Sequence, residues 1–62
     1  MNVSVIYVNY NSSNLIANSI KSVIELTNGI SYEIIVVDNN SHQDDKNRLK
    51  TFCTTNNIKL IE

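Results

Sequence analysis

Sixty-two residues suffice for one domain, at the small end of what folds without help. Hydrophobic residues make up 42% and charged residues 18%, with one Gly and no Pro, which excludes disordered and collagen-like chains. Five Lys/Arg against six Asp/Glu give a net charge of −1, so no basic surplus exists for gripping nucleic acid.

The opening residues, Met1-Asn-Val-Ser-Val-Ile6, carry no basic segment and no small-residue cleavage site, so no secretory leader is expected. No apolar run approaches the roughly 20 residues of a membrane span, and the chain reads as cytoplasmic. Residues 3–10, Val-Ser-Val-Ile-Tyr-Val-Asn-Tyr, are dense in β-branched and aromatic side chains and predict a strand. Val3, Val5 and Tyr7 fall on one face, Ile6 and Val8 on the other, the pattern of a parallel strand. Asn11 to Asn14 form a polar turn offering several helix-capping side chains. From Ser13 to Thr27, Leu15, Ile16, Ile20, Val23 and Ile24 recur at helical spacing, with Asn28-Gly29 as the stop.

Tyr32 to Asp38 reads as a second strand, apolar on both faces through Ile34, Ile35, Val36 and Val37. Ser41 followed by Asp44 predicts a capping box with the shorter acid, and Asp44 and Asp45 suit a helix's positive end. Leu49, Phe52 and Cys53 make the stripe of a helix over 43–55. As the only cysteine, Cys53 excludes an internal disulfide and a Cys-rich zinc site, and it reads as core. Ile58 to Glu62 would be a third strand.

The order βαβαβ predicts an α/β fold, half of a Rossmann-like parallel sheet with strand order 3-2-1 and right-handed crossovers. Two crossovers in one direction place both helices on one sheet face and leave the other uncovered. That bare apolar face, with the free edge of the first strand, leads us to expect self-association.

Open α/β sheets bind ligands beyond the carboxyl ends of their strands. Those ends are Asn9-Tyr10-Asn11-Ser12-Ser13 and Asp38-Asn39-Asn40-Ser41, both crowded with short polar side chains. Such residues also fill turns by bonding their own backbone, so this signal alone admits either reading. The first turn has no Gly, which excludes the G-x-G-x-x-G dinucleotide fingerprint and the P-loop. Asp44-Asp45 reads as service to a helix dipole rather than a metal pair. His42 is solitary and reads as a solvated loop residue, Tyr7 and Tyr32 as strand packing, and Tyr10, at a strand end, as a residue able to border a ligand.

Val3-Ser-Val-Ile-Tyr-Val-Asn-Tyr-Asn-Ser12, the helix ending Ser19-Ile-Lys-Ser-Val-Ile24, and Tyr32-Glu-Ile-Ile-Val-Val-Asp-Asn-Asn-Ser41 together resemble the start of family 2 glycosyltransferases. These are inverting nucleotide-sugar enzymes with the GT-A fold, and the resemblance covers residues 3–50. It implies that residues 1–62 are the N-terminal nucleotide-binding portion of an incomplete glycosyltransferase domain, partnered by the remainder of the parent enzyme. Asn9, Tyr10 and Asn11 match the family stretch that borders the nucleotide base. Asp38 matches the acid that reads base and ribose, a task suited to a carboxylate because it accepts from a pyrimidine N3–H or ribose hydroxyls. Asn39 stands where many members carry a second acid, and the Asp38-Asn39 pair is similar to the rhamnosyltransferase-like branch.

The same resemblance implies transfer from a UDP- or dTDP-sugar to an acceptor hydroxyl with inversion, of hexosyltransferase type, in polysaccharide biosynthesis. The family's Asp-x-Asp motif and catalytic base fall beyond residue 62, so no catalytic residue or metal ligand is expected among these residues. The Mn or Mg ion would belong to the parent, which would work in the cytoplasm or at the inner membrane face, and the 62 residues alone would be inactive. Two other classes stay open, a non-enzymatic α/β interaction module and a phosphoacceptor receiver-like domain. The receiver reading lacks the acidic cluster after the first strand that would hold Mg²⁺.

Overall fold

Runs of β-branched residues alternate with amphipathic segments, and the chain folds accordingly. In the computed structural model, which describes residues 2–62, β1 (Asn2–Asn9), α1 (Ser13–Leu26), β2 (Ser31–Asp38), α2 (Gln43–Thr55) and β3 (Lys59–Ile61) follow in turn. The leader reading at Met1 lies outside the described residues. β1 pairs in parallel with β2 along its whole length, from Asn2↔Ser31 to Asn9↔Asp38. β3 adds to the other side of β2 through Ile35↔Lys59, Val36↔Leu60 and Val37↔Ile61. The sheet order β1-β2-β3 is the expected 3-2-1 order read from the opposite edge.

Strand alternation decides which side chains meet the helices. Ile34 and Val36 of β2 are buried against Ile16 and Ile20 of α1 and Leu49 and Cys53 of α2. Val5, Tyr7, Val23, Phe52 and Leu60 pack around this cluster. Ile20 and Val36 have no exposed surface at all, so the core sits between the sheet and both helices. Burial also pushes the Cys53 thiol upward in pKa, which keeps it an unreactive core group.

The opposite sheet face has no cover. Ile6 is 63% exposed and Val8 66%, beside half-buried Ile35 and Val37. The total surface of 4410 Å² exceeds the roughly 4,000 Å² of a compact monomer of this mass, as a one-sided sheet requires.

Two helix-end expectations are corrected. Ser41 does not cap α2: the N-cap is His42, with no side-chain cap bond, because the Ser41 hydroxyl is engaged by Asn9 and Asn11. Asn28-Gly29 does not terminate α1 directly. The helix ends at Leu26 with Thr27 extended and bonded to the Val23 carbonyl, and Gly29 (φ +73°) turns the chain two residues later. Past the end of α2 at Thr55, Asn57 (φ 56°) closes a Schellman arrangement in which the Ile58 N–H reaches the Cys53 carbonyl at 2.8 Å.

Leu49→Ala should cost about 2–5 kcal/mol, enough to unfold much of so small a domain. Leu15→Ala, at a position 73% exposed, should cost under about 0.5 kcal/mol. Urea titrations followed by circular dichroism compare them, and equal losses would mean the core lies elsewhere.

Candidate functional site

Parallel pairing in register brings Asn9 and Asp38 side by side at the carboxyl end of the sheet. Both side chains fall on the helix-covered face and are buried, Asn9 completely. A buried amide must find partners. Its Nδ2 donates toward Asp38 Oδ1 (2.9 Å), Asp45 Oδ2 (2.8 Å) and Ser41 Oγ (3.1 Å), and its Oδ1 accepts from the Ser12 N–H (3.1 Å). One side chain thus ties the end of β1 to both loops and to the first turn of α2.

Asp45 completes the arrangement from the other side. Its Oδ1 accepts from the Ser13 N–H (3.1 Å) and the Ser13 hydroxyl (2.7 Å), so a carboxylate on α2 satisfies an orphan donor of α1. Helix α1 has no acid in its own first turn and no side-chain cap, and Asp45 supplies both functions from its neighbour. Arg48 touches the same oxygen at 3.5 Å from a largely exposed position, a contact of little strength.

The loops themselves interlock. The Asn11 N–H donates to Ser41 Oγ (2.9 Å), the His42 N–H donates to Asn11 Oδ1 (2.8 Å), and the Asn39 N–H donates to the Asn9 carbonyl (2.8 Å). Asn11 (φ 51°) and Asn40 (φ 58°) hold left-handed backbone, which asparagine tolerates better than other side chains. No buried side-chain polar atom among the described residues is left without a partner.

Burial raises the pKa of both Asp38 and Asp45, yet each ends below the ordinary 3.8. Bonds from Asn9 and Ser41, with the charge of Lys46, favour the Asp38 carboxylate; bonds from Asn9 and Ser13, with Arg48, favour that of Asp45. Two buried anions therefore share one neutral amide.

The expected site residues divide into two sets. Asn9 and Asp38 form the buried floor, whereas Tyr10, Asn11 and Asn39 are exposed at the rim. A separate cleft of about 280 Å³, lined by Ile24, Tyr32, Ile34 and residues 56–58, opens toward the amino end of the sheet, away from this rim. Among the described residues no three His, Cys, Asp or Glu side chains are placed to hold a metal ion. Both carboxylates accept at each oxygen, Asp38 from Asn9 and the Ser41 N–H, and Asp45 from Asn9 and Ser13. Among the described residues no helix is long and apolar enough to cross a membrane.

A family model described as Glycosyl transferase family 2 matches residues 4–62, from within β1 through the other four elements and both strand-end loops. The chain belongs to glycosyl transferase family 2. No solved structure matches it. In this family 2 chain the strand-end loops are a single bonded unit, which also takes in Ser13, Ser41 and Asp45, residues whose sequence pattern points only to a turn, a capping box and a helix dipole. The signal for Asp45 was available: with Leu49 and Cys53 it occupies i, i+4 and i+8, so an acid continues the buried stripe.

Acid should unlock this unit. Because both folded pKa values are depressed, their stabilising contribution is complete above pH 3.8 and is lost as pH falls through the lower folded values. Urea midpoints should hold steady at neutral pH and fall steeply below about pH 4, with Asp45→Asn flattening the fall. A midpoint that rises on acidification in this range would contradict the assignment.

Proposed function

We propose that this chain is the nucleotide-facing portion, residues 1–62, of a glycosyltransferase whose donor is a UDP- or dTDP-linked sugar. The observation that carries the reading is the pairing of Asn9 with Asp38 at the strand ends, beneath an exposed rim of Tyr10, Asn11 and Asn39. Asp38 keeps 8% of its surface exposed, and an ionised carboxylate has about four acceptor positions, more than its Asn9 and Ser41 bonds consume. It would accept from a pyrimidine N3–H or a ribose hydroxyl, Asn39 would both accept and donate beside it, and Tyr10 would flank the base. The Asp38-Asn39 pair supports the rhamnosyltransferase-like branch and a hexosyl-type donor. Transfer with inversion to an acceptor hydroxyl, in polysaccharide synthesis at the cytoplasmic side, would be the work of the whole enzyme. The Mn or Mg ion and the catalytic base would be held by residues outside this chain, so the 62 residues alone would turn over no donor.

Titration of the ¹⁵N-labelled chain with UDP and dTDP tests the reading. Amides of Asn9, Tyr10, Asn11, Asp38 and Asn39 should shift, with about millimolar affinity, near −4 kcal/mol, because no diphosphate contact is made. A preference for purine nucleotides, or shifts confined to the amino end of the sheet, would overturn it.

The uncovered sheet face supports a second proposal, that the isolated chain self-associates. Ile6, Val8 and Ile61 stand exposed on that face, and β1 keeps an unpaired edge. Sedimentation equilibrium at high micromolar concentration should give a mass above the 7.0 kDa monomer. A folded, strictly monomeric chain would contradict this.

A further inference from the structure

Asp45 lies outside the rim, yet its carboxylate touches both strand-end segments at once. Through Oδ2 it holds Asn9, the floor residue beside Asp38 (2.8 Å); through Oδ1 it holds Ser13, where the β1–α1 loop enters its helix (3.1 Å and 2.7 Å). The residue is 5% exposed and reaches no surface from which a nucleotide would touch it. Its partners are nonetheless those that fix the rim. Asn9 supplies the carbonyl for the Asn39 N–H, and the segment ending at Ser13 carries Asn11, which is cross-bonded to Ser41 and His42.

We propose that Asp45 is a positioning residue for the nucleotide rim, clamping the β1–α1 and β2–α2 loops so that Asn11 and Asn39 are presented together. The proposal rests on the reading of this rim as the nucleotide site. Asp45 does so from α2, a rigid element seated in the core by Leu49 and Cys53 on the same helical stripe. Removing the clamp leaves that core intact and frees the two loops to move independently. Ligand binding then has to order them again, which weakens affinity without touching a ligand contact.

The test uses the full 62-residue chain, amide hydrogen exchange and UDP as the probe. Asp45→Asn keeps the shape but turns an amide N–H toward either Asn9 Nδ2 or the Ser13 donors. In this variant protection at Asn11, Ser13 and His42 should fall about tenfold or more, while Ile20 and Val36 amides keep theirs. The UDP dissociation constant should rise about fivefold or more. Cys53→Ala, which destabilises the same helix from within the core, should leave UDP affinity within about twofold, separating positioning from general loss of stability. If Asp45→Asn does not fold, Ser13→Ala carries the test: it deletes only the 2.7 Å bond and should weaken UDP about threefold. Unchanged UDP affinity in whichever variant folds would overturn the proposal while leaving the nucleotide reading intact. Absence of UDP binding by the parent sequence would overturn the nucleotide reading instead. In that case retained loop protection in Asp45→Asn would overturn the clamp as well.

Discussion

Two carboxylates buried within reach of one another repel, and the site is stable only because the Asn9 amide stands between them. Asp38 and Asp45 each accept from its Nδ2, with Ser41 as a third acceptor at the longest distance, 3.1 Å. An NH₂ group carries two protons, so the three contacts share them. The charge is offset by donors from elsewhere, the Ser41 N–H on Asp38 and both Ser13 donors on Asp45. Without the amide, two desolvated anions would face each other with fewer donors than they need, which is the costly case for buried charge.

This constraint reaches down into the sheet. Asn9 meets Asp38 only if β1 and β2 pair as they do, and a slip of one residue would turn Asn9 to the uncovered face. The apolar pattern alone specifies that register weakly, because β1 carries Val5 and Tyr7 on one side and Ile6 and Val8 on the other. The polar lock at the strand ends adds the missing specificity. It also binds the helices together: Ser13 and Asp45 join the amino ends of α1 and α2, above the shared core of Ile20, Leu49 and Cys53.

The fold was legible because its signals are strong and local. β-Branched runs at 3–8 and 34–37, helical periodicity through Ile16, Ile20 and Val23, and the stripe of Leu49 and Cys53 each point to one element type. Their alternation gives the parallel order. The site was legible only in outline. The density of Asn and Ser at the strand ends drew notice to Asn9, Tyr10, Asn11, Asp38 and Asn39, but not to their division into a buried floor and an exposed rim, which depends on strand alternation at the last register pair. Local sequence points to Ser41 as a cap and to Asp45 as service to the dipole of its own helix. Tertiary packing overrides the first and adds to the second: Asp45 does lie in the first turn of α2, but Asn9 and Ser13 arrive from another part of the chain with donors that its oxygens accept. The family 2 match spans both loops; their internal bonding follows from the side chains alone.

The central claim is that one side-chain amide locks the carboxyl end of the sheet, and the exchange of that amide tests it most directly. The chain has eleven asparagines, so the side-chain NH₂ resonances supply their own controls. Hydrogen exchange at neutral pH should find the Asn9 side-chain protons the slowest of the set, since Asn9 is fully buried and bonded to two carboxylates. Asn14, exposed on α1, should exchange at the rate of a free amide. Asn9 protons exchanging as fast as those of Asn14 would contradict the account.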